Sequence, residues 1–148
     1  AKMGGTIDLT CGESESKFHS VADAVKKAKK EGVPMEKVTM SSDGQGSWSN
    51  YDTEGKLVEI GVSDVDTIYR QIVYMVKEEN MDLEELLALG TKNPAMALEL
   101  YPKKGAVKEE SDADILIMNE DLSLDTVIAM GVPMMRDGKI LKKGTYEK

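Results

Sequence analysis

Apolar positions along this chain follow two different periods, and the places where the period changes divide it into elements. The run from Gly4 to Thr10 is entered from a glycine turn and predicts a short strand. The spacing then turns helical. Val21, Ala24, Val25 and Ala28 share one face, while Lys26, Lys27, Lys29 and Lys30 point to water near the helix C-terminus, where the dipole favours cations. Ser20 is the expected N-cap, with Asp23 completing a capping box, and Gly32 and Pro34 end the helix. Lys37 to Ser41 reads as a second strand. Strand, helix, strand is a βαβ unit with parallel strands, the mark of an α/β fold.

A polar, glycine-rich loop runs from Ser42 to Asn50, and Asp52 to Gly61 reads as an excursion turning at Glu54-Gly55. Ser63 and Asp66 cap a long helix whose apolar stripe is Val65, Ile68, Ile72, Val73 and Val76. A further helix starts at Asp82, with Glu85 as box partner, and ends at Gly90 as C′. Another begins at Asn93, with Pro94 at its first position, and stops before Pro102. The pattern then becomes extended. Asp114 to Met118 and Asp125 to Met130 read as strands, and Val132 to Arg136 and Lys139 to Leu141 flank Asp137-Gly138, a two-residue hairpin signal. The boundary between the two styles is expected near Pro102 to Gly105, dividing residues 1–103 from a small β-strand unit at 104–148.

Length and charge narrow the function classes. A chain of 148 residues suits one domain and can bury a real core. The net charge of −8 argues against binding nucleic acid through its phosphates or docking on an anionic membrane. Cys11 is the single cysteine, so no internal disulfide forms, and a reducing cytoplasm is expected. No apolar run approaches the ~20 residues of a membrane span. The first residues lack the apolar region of a signal peptide and read as if the chain were entered midway through a domain.

The candidate chemistry centres on Val38-Thr39-Met40-Ser41-Ser42-Asp43-Gly44-Gln45-Gly46-Ser47. An acid stands at the C-terminal end of a parallel strand, where ligands of sheets and barrels bind. Asp43 is therefore a candidate metal ligand or general base, and Ser47 could reach the site with a hydroxyl. The plainer reading of Asp43 is a turn-former bonding nearby backbone N–H groups. His19, the only histidine, reads as a surface or capping residue, and Cys11 as a buried inert thiol. Trp48 packs over the loop or over a ligand, and Met75, Met81, Met96 and Met118 read as core. A catalytic zinc site takes three protein ligands plus water, yet this chain offers Asp43 and no histidine set.

These motifs resemble the C-terminal portion of the isoaspartyl dipeptidases (β-aspartyl peptidases) of the amidohydrolase superfamily. The similarity lies in Gly4 to Thr10, in Ser41-Ser42-Asp43-Gly44-Gln45-Gly46-Ser47, in Glu54 to Val62, and in Asp112-Ala113-Asp114 with the strand after it and Val132 to Thr145. The resemblance implies the last strands of a (β/α)₈ barrel plus the C-terminal strands of a small β-sandwich; a whole barrel needs ~250 residues. It implies hydrolysis of the isopeptide bond of β-aspartyl dipeptides, a small-molecule substrate, by two zinc ions bridged by hydroxide and a carboxylated lysine. On this resemblance Asp43 ligates a metal and carries a proton from the hydroxide to the leaving amine, and Ser47 contacts substrate. The other ligands would precede Ala1, so the chain alone is expected to be inactive. A homo-oligomer is expected. The alternatives are a non-catalytic assembly module, or part of another amidohydrolase such as a dihydroorotase or deaminase.

Overall fold

The computed structural model describes residues 4–12 and 14–144. The resemblance to Thr145 and the opening residues 1–3 fall outside them. Strands β1 (Ile7–Thr10) and β2 (Val38–Ser41) pair in parallel, with Ile7 opposite Val38 and Thr10 opposite Ser41. The crossover is α1 (Glu15–Lys30). It starts a turn and a half before the expected cap. Ser14 is the N-cap, its hydroxyl accepting from the Lys17 N–H at 3.2 Å, while Ser20 donates to the Lys17 carbonyl at 2.9 Å inside the helix. Tertiary contacts secure the added turn: Phe18 stacks on Tyr74 with ring centroids 5.4 Å apart, and Gln71 Nε2 donates to the Phe18 carbonyl at 3.1 Å. The helix ends as expected. Gly32 takes φ +67°, its N–H donates to Lys29, and the Val33 N–H donates to Ala28, which makes a Schellman motif.

Three further helices follow, α2 (Thr67–Lys77), α3 (Leu83–Gly90) and α4 (Lys92–Ala97). Together with α1 they cover one face of the β1–β2 pair. The core is Val38 and Met40 of β2, Val21, Ala22 and Val25 of α1, Ile72 and Met75 of α2, and Leu86 and Leu89 of α3. The stripe expected on α2 is only partly the buried one. Val65 precedes the helix and is exposed, whereas Thr67 and Gln71 are buried. Thr67 donates inward to the Ser42 carbonyl at 3.3 Å and Gln71 Nε2 to the Phe18 carbonyl, while Gln71 Oε1 is buried with no partner among the described residues. The Asp66 carboxylate pairs with Arg70 at 2.9 Å instead of capping α2. Asp82 caps α3 as expected, accepting from the Glu85 N–H at 2.9 Å. Gly90 is the last residue of α3, and Thr91 is its C-cap. Met75 is fully buried and Met81 packs against the core, but Met96 is 47% exposed.

Beyond β2 the loop passes into an antiparallel hairpin, β3 (Ser47–Tyr51) and β4 (Leu57–Val62). Ser47 to Asn50 therefore belong to a strand, not to the loop. Their polar residues carry no alternating pattern because pairing with β4, and not burial, holds them extended. The turn closes where expected: Gly55 has φ +80°, and Asp52 Oδ1 accepts from the N–H groups of Glu54 and Lys56, both at 2.9 Å. The tail is a four-stranded antiparallel sheet of β5 (Ile115–Met118), β6 (Leu124–Ala129), β7 (Val132–Arg136) and β8 (Lys139–Ile140), in that order. Asp137 and Gly138 both have positive φ, 51° and 68°, as a type I′ hairpin turn requires. Lys104 ties the connection to this sheet by pairing with Asp112 and Asp114, and the Tyr69 hydroxyl donates to the Leu122 carbonyl at 2.8 Å. No helix among the described residues is long and apolar enough to cross a membrane.

Asn93 links the helical layer to the strand. It is 4% exposed, and its Nδ2 donates to the carbonyls of Met35 and Val38, both at 2.8 Å. Asn93→Ala leaves these acceptors without their partner. The expected cost is about 1–3 kcal/mol, read as a lower midpoint in urea denaturation; an unchanged midpoint would show that the bonds are dispensable.

Candidate functional site

Parallel pairing sets the C-terminal ends of β1 and β2 side by side. The ladder continues one step past β1, where the Cys11 N–H donates to the Ser41 carbonyl at 2.8 Å. An open cleft of about 480 Å³ lies at this end, lined by Thr10, Cys11, Gly12, Ser14 and Lys17 after β1 and by Asp43, Trp48, Asn50, Glu59 and Ser63 after β2.

The loop that carries Asp43 is tightly folded. The Gly46 N–H donates to the Asp43 carbonyl at 2.8 Å, and Gly44 N–H to Ser42 Oγ at 3.1 Å. Two bonds of 2.8 Å, from Gln45 N–H to the Ser63 carbonyl and from Ser63 N–H to the Gly46 carbonyl, pin the turn to the entry of α2. Asp43 and Gln45 both lie in the left-handed region, at φ +49° and +67°. Such strain costs roughly 1–3 kcal/mol per residue, persists where surrounding bonds impose it, and concentrates at functional sites. A turn-former would use its carboxylate to hold the backbone. Here the backbone carbonyl of Asp43 does so, and its exposed carboxylate takes no hydrogen bond among the described residues. Gly46 is needed for that arrangement, since a Cβ there would stand 2.7 Å from Asp43 Oδ1.

The hairpin forms one wall. Trp48 lies across Gly61 on β4, where an added Cβ would come 2.1 Å from the indole, so the ring packs on the hairpin and lines the cleft at once. Trp48 and Asn50 share one strand face. Ser47 is exposed at the start of β3 on the alternate face and is not among the lining residues. His19 is also elsewhere. It sits between α1 and α2, with Nδ1 2.7 Å from the Tyr74 hydroxyl, and is a surface residue inside a helix.

Asp8 escapes sequence reading. On the strand face away from the helices, Thr39 Oγ1 donates to its Oδ1 at 2.7 Å and Ser41 Oγ to its Oδ2 at 2.6 Å. The signal was present as polar residues at period two in both strands, Asp8 and Thr10 facing Thr39 and Ser41, but it needs the strand register to be seen. Cys11 is 3% exposed, and burial, with the Asp8 charge, pushes its thiol up to about 12, against a smaller opposing effect of Lys17.

Residues 1–141 match the amidohydrolase family. The chain belongs to the amidohydrolase family. Its structure is similar to two crystal structures of β-aspartyl dipeptidase from Fervidobacterium islandicum AW-1. The one in complex with β-Asp-Leu dipeptide has a TM-score of 0.81 and 35% identity, over 99% of this chain and 37% of that one. The other has a TM-score of 0.74 and 32% identity, over 99% of this chain and 35% of that one. N-acetylglucosamine-6-phosphate deacetylase from Pasteurella multocida shares the fold, with a TM-score of 0.60 and 19% identity over 78% of this chain and 34% of its own. This amidohydrolase chain thus spans little more than a third of the dipeptidases it matches. Amidohydrolases generally use metal ions. The described residues hold no group of three or more His, Cys, Asp or Glu that could bind one. They do not make a metal centre by themselves, and Asp43 is the carboxylate standing at a strand end.

A thiol raised to about 12 is protonated at neutral and mildly alkaline pH. In the folded protein at about pH 8, iodoacetamide should leave Cys11 unmodified, with labelling only after unfolding in urea. Peptide mass spectrometry reads this directly, and fast labelling of the native protein would contradict the burial.

Proposed function

We propose that this chain is the C-terminal part of a metal-dependent β-aspartyl dipeptidase. On this reading β1 and β2 are the last two strands of a (β/α)₈ barrel, α1 to α4 lie on its outside, and β5 to β8 are the C-terminal strands of a small β-sandwich, with the division falling between residues 103 and 104. The observation that carries it is the 35% identity, across 99% of the chain, to an enzyme crystallised with β-Asp-Leu. The position of Asp43 supports it, since barrel enzymes work at the C-terminal ends of their strands. The open edges support the barrel as well: among the described residues no third strand joins β1 or β2.

The reaction is hydrolysis of the amide made through the aspartate side chain. Asp43 accepts the proton of the attacking water and returns it to the leaving amine, so the C–N bond breaks with a neutral amine departing. Its free carboxylate suits that shuttle. Zinc is the proposed cofactor. Asp43 is the ligand this chain would bring, and the others belong to parts of the protein outside it. Ser47 is the proposed substrate contact on the resemblance of its motif alone, since it is exposed four residues past Asp43 but does not line the cleft. A cytoplasmic setting fits a single, reduced cysteine.

One feature favours a second reading, an assembly module that pairs with itself. Val58, Ile60 and Val62 of β4 are exposed by 67%, 64% and 62%. Covering by the rest of the enzyme and covering by a second copy are separated by the mass in light scattering, alone and with the full-length protein.

In the full-length protein, Asp43→Asn should lower kcat for β-Asp-Leu by about 10²–10⁴-fold. The 148 residues alone, supplied with zinc, should show no turnover. A steady-state assay decides both. Full activity in the Asn variant would remove Asp43 from the chemistry, and turnover by the short chain would mean that it holds a complete site.

A further inference from the structure

The lining of the cleft includes a cation that the proton shuttle does not use. We propose that Lys17 binds a carboxylate of the dipeptide substrate and so contributes to specificity; the inference rests on the dipeptidase reading above. A β-aspartyl dipeptide carries a carboxylate on the aspartyl α-carbon and another at its C-terminus. The cleft's acidic lining, Asp43 and Glu59, repels both. Among the described lining residues, Lys17 is the cation.

Its surroundings separate Lys17 from an ordinary solvated lysine. On the same helix, Lys26 pairs with Glu79, Lys27 with Glu31 and Lys29 with Glu85. Lys17 has no ion pair among the described residues, and its ammonium is left for an incoming anion. The stem is also seated. Gly12 lies beneath it so closely that a Cβ there would be 2.6 Å from Lys17 Cγ. The bare Cα of Gly12 therefore lets the stem cross the β1–α1 loop at the rim of the cleft. The Lys17 charge is felt by Cys11, another lining residue, whose thiol it pulls down against burial. Lys17 itself lines the cleft, with Cys11, Gly12 and Ser14 of the same loop. A lysine held there by its stem has already given up part of the rotamer freedom that binding would otherwise cost.

The test uses the full-length, metal-loaded protein. K17M keeps the stem and removes the charge, and K17R keeps the charge. With β-Asp-Leu, K17M should raise KM about 10- to 100-fold, the worth of a charge-assisted hydrogen bond, with the loss in KM and not in kcat, and K17R should recover most of it. β-Alanyl-leucine lacks the α-carboxylate, and β-aspartyl-leucinamide lacks the C-terminal one. The analogue on which wild type and K17M become equal identifies the carboxylate that Lys17 holds. Calorimetric binding of β-Asp-Leu in an Asp43→Asn background should show the same fold loss for Lys17→Met without turnover. If K17M does not fold, Lys17→Gln, which also removes the charge, is read on the dipeptide and both analogues in its place. A KM within twofold of wild type, or an equal loss on the dipeptide and both analogues, overturns the inference. A wild-type protein that turns over no β-aspartyl dipeptide overturns the dipeptidase reading and this inference with it.

Discussion

The parallel pairing of β1 with β2 is the constraint on which the rest depends. It fixes Thr10 beside Ser41, and so brings the loops that follow both strands, with Cys11, Lys17 and Asp43, to one edge. The same register splits the strands into two faces. Val38 and Met40 go to the helices and are nearly closed to solvent. Asp8, Thr39 and Ser41 go to the other face and satisfy one another across the strands. A slip by one residue would exchange those faces, burying a carboxylate and exposing the core. The helical layer prevents it, with Asn93 reaching into the strand from behind to bind the Val38 carbonyl.

The Asp43 loop is the local cost of that design. Two non-glycine residues are held in left-handed conformations by bonds to Ser63, at the entry of α2. The helix that completes the core therefore also holds the loop. What results is a carboxylate at the end of a strand whose own backbone, and not its side chain, makes the turn. That difference separates Asp43 from a plain turn residue and leaves its carboxylate without a hydrogen bond among the described residues. Trp48 and Gly61 shape the facing wall by a close contact that only glycine permits.

Much of this was legible in the residues. The βαβ order, the glycine stop of α1, the Asp82 cap and the Asp137-Gly138 turn follow from local chemistry, which depends little on partners. The failures share a cause. Ser20 has the local form of a cap, but Phe18 on Tyr74 extends the helix back to Ser14. Val65 fits a helical stripe but lies outside the helix, while Gln71, polar and therefore passed over, is fully buried through its bond to α1. β3 was invisible because its polar residues are held by pairing. At the site, Asp43 could be singled out from its place after a strand. Asp8 and Lys17 could not, because the bonds of the first depend on register and the seat of the second on a neighbouring glycine. The family resemblance was legible from the motif around Asp43, and the match over residues 1–141 places the chain in that family.

The central claim is that these residues serve a β-aspartyl dipeptidase. The most direct measurement is a comparison of β-Asp-Leu, α-Asp-Leu and dihydroorotate as substrates of the full-length, metal-loaded protein. The account predicts cleavage of the β-linked dipeptide with little or no turnover of the other two. Turnover of dihydroorotate without β-Asp-Leu, or preference for the α-linked peptide, would contradict it.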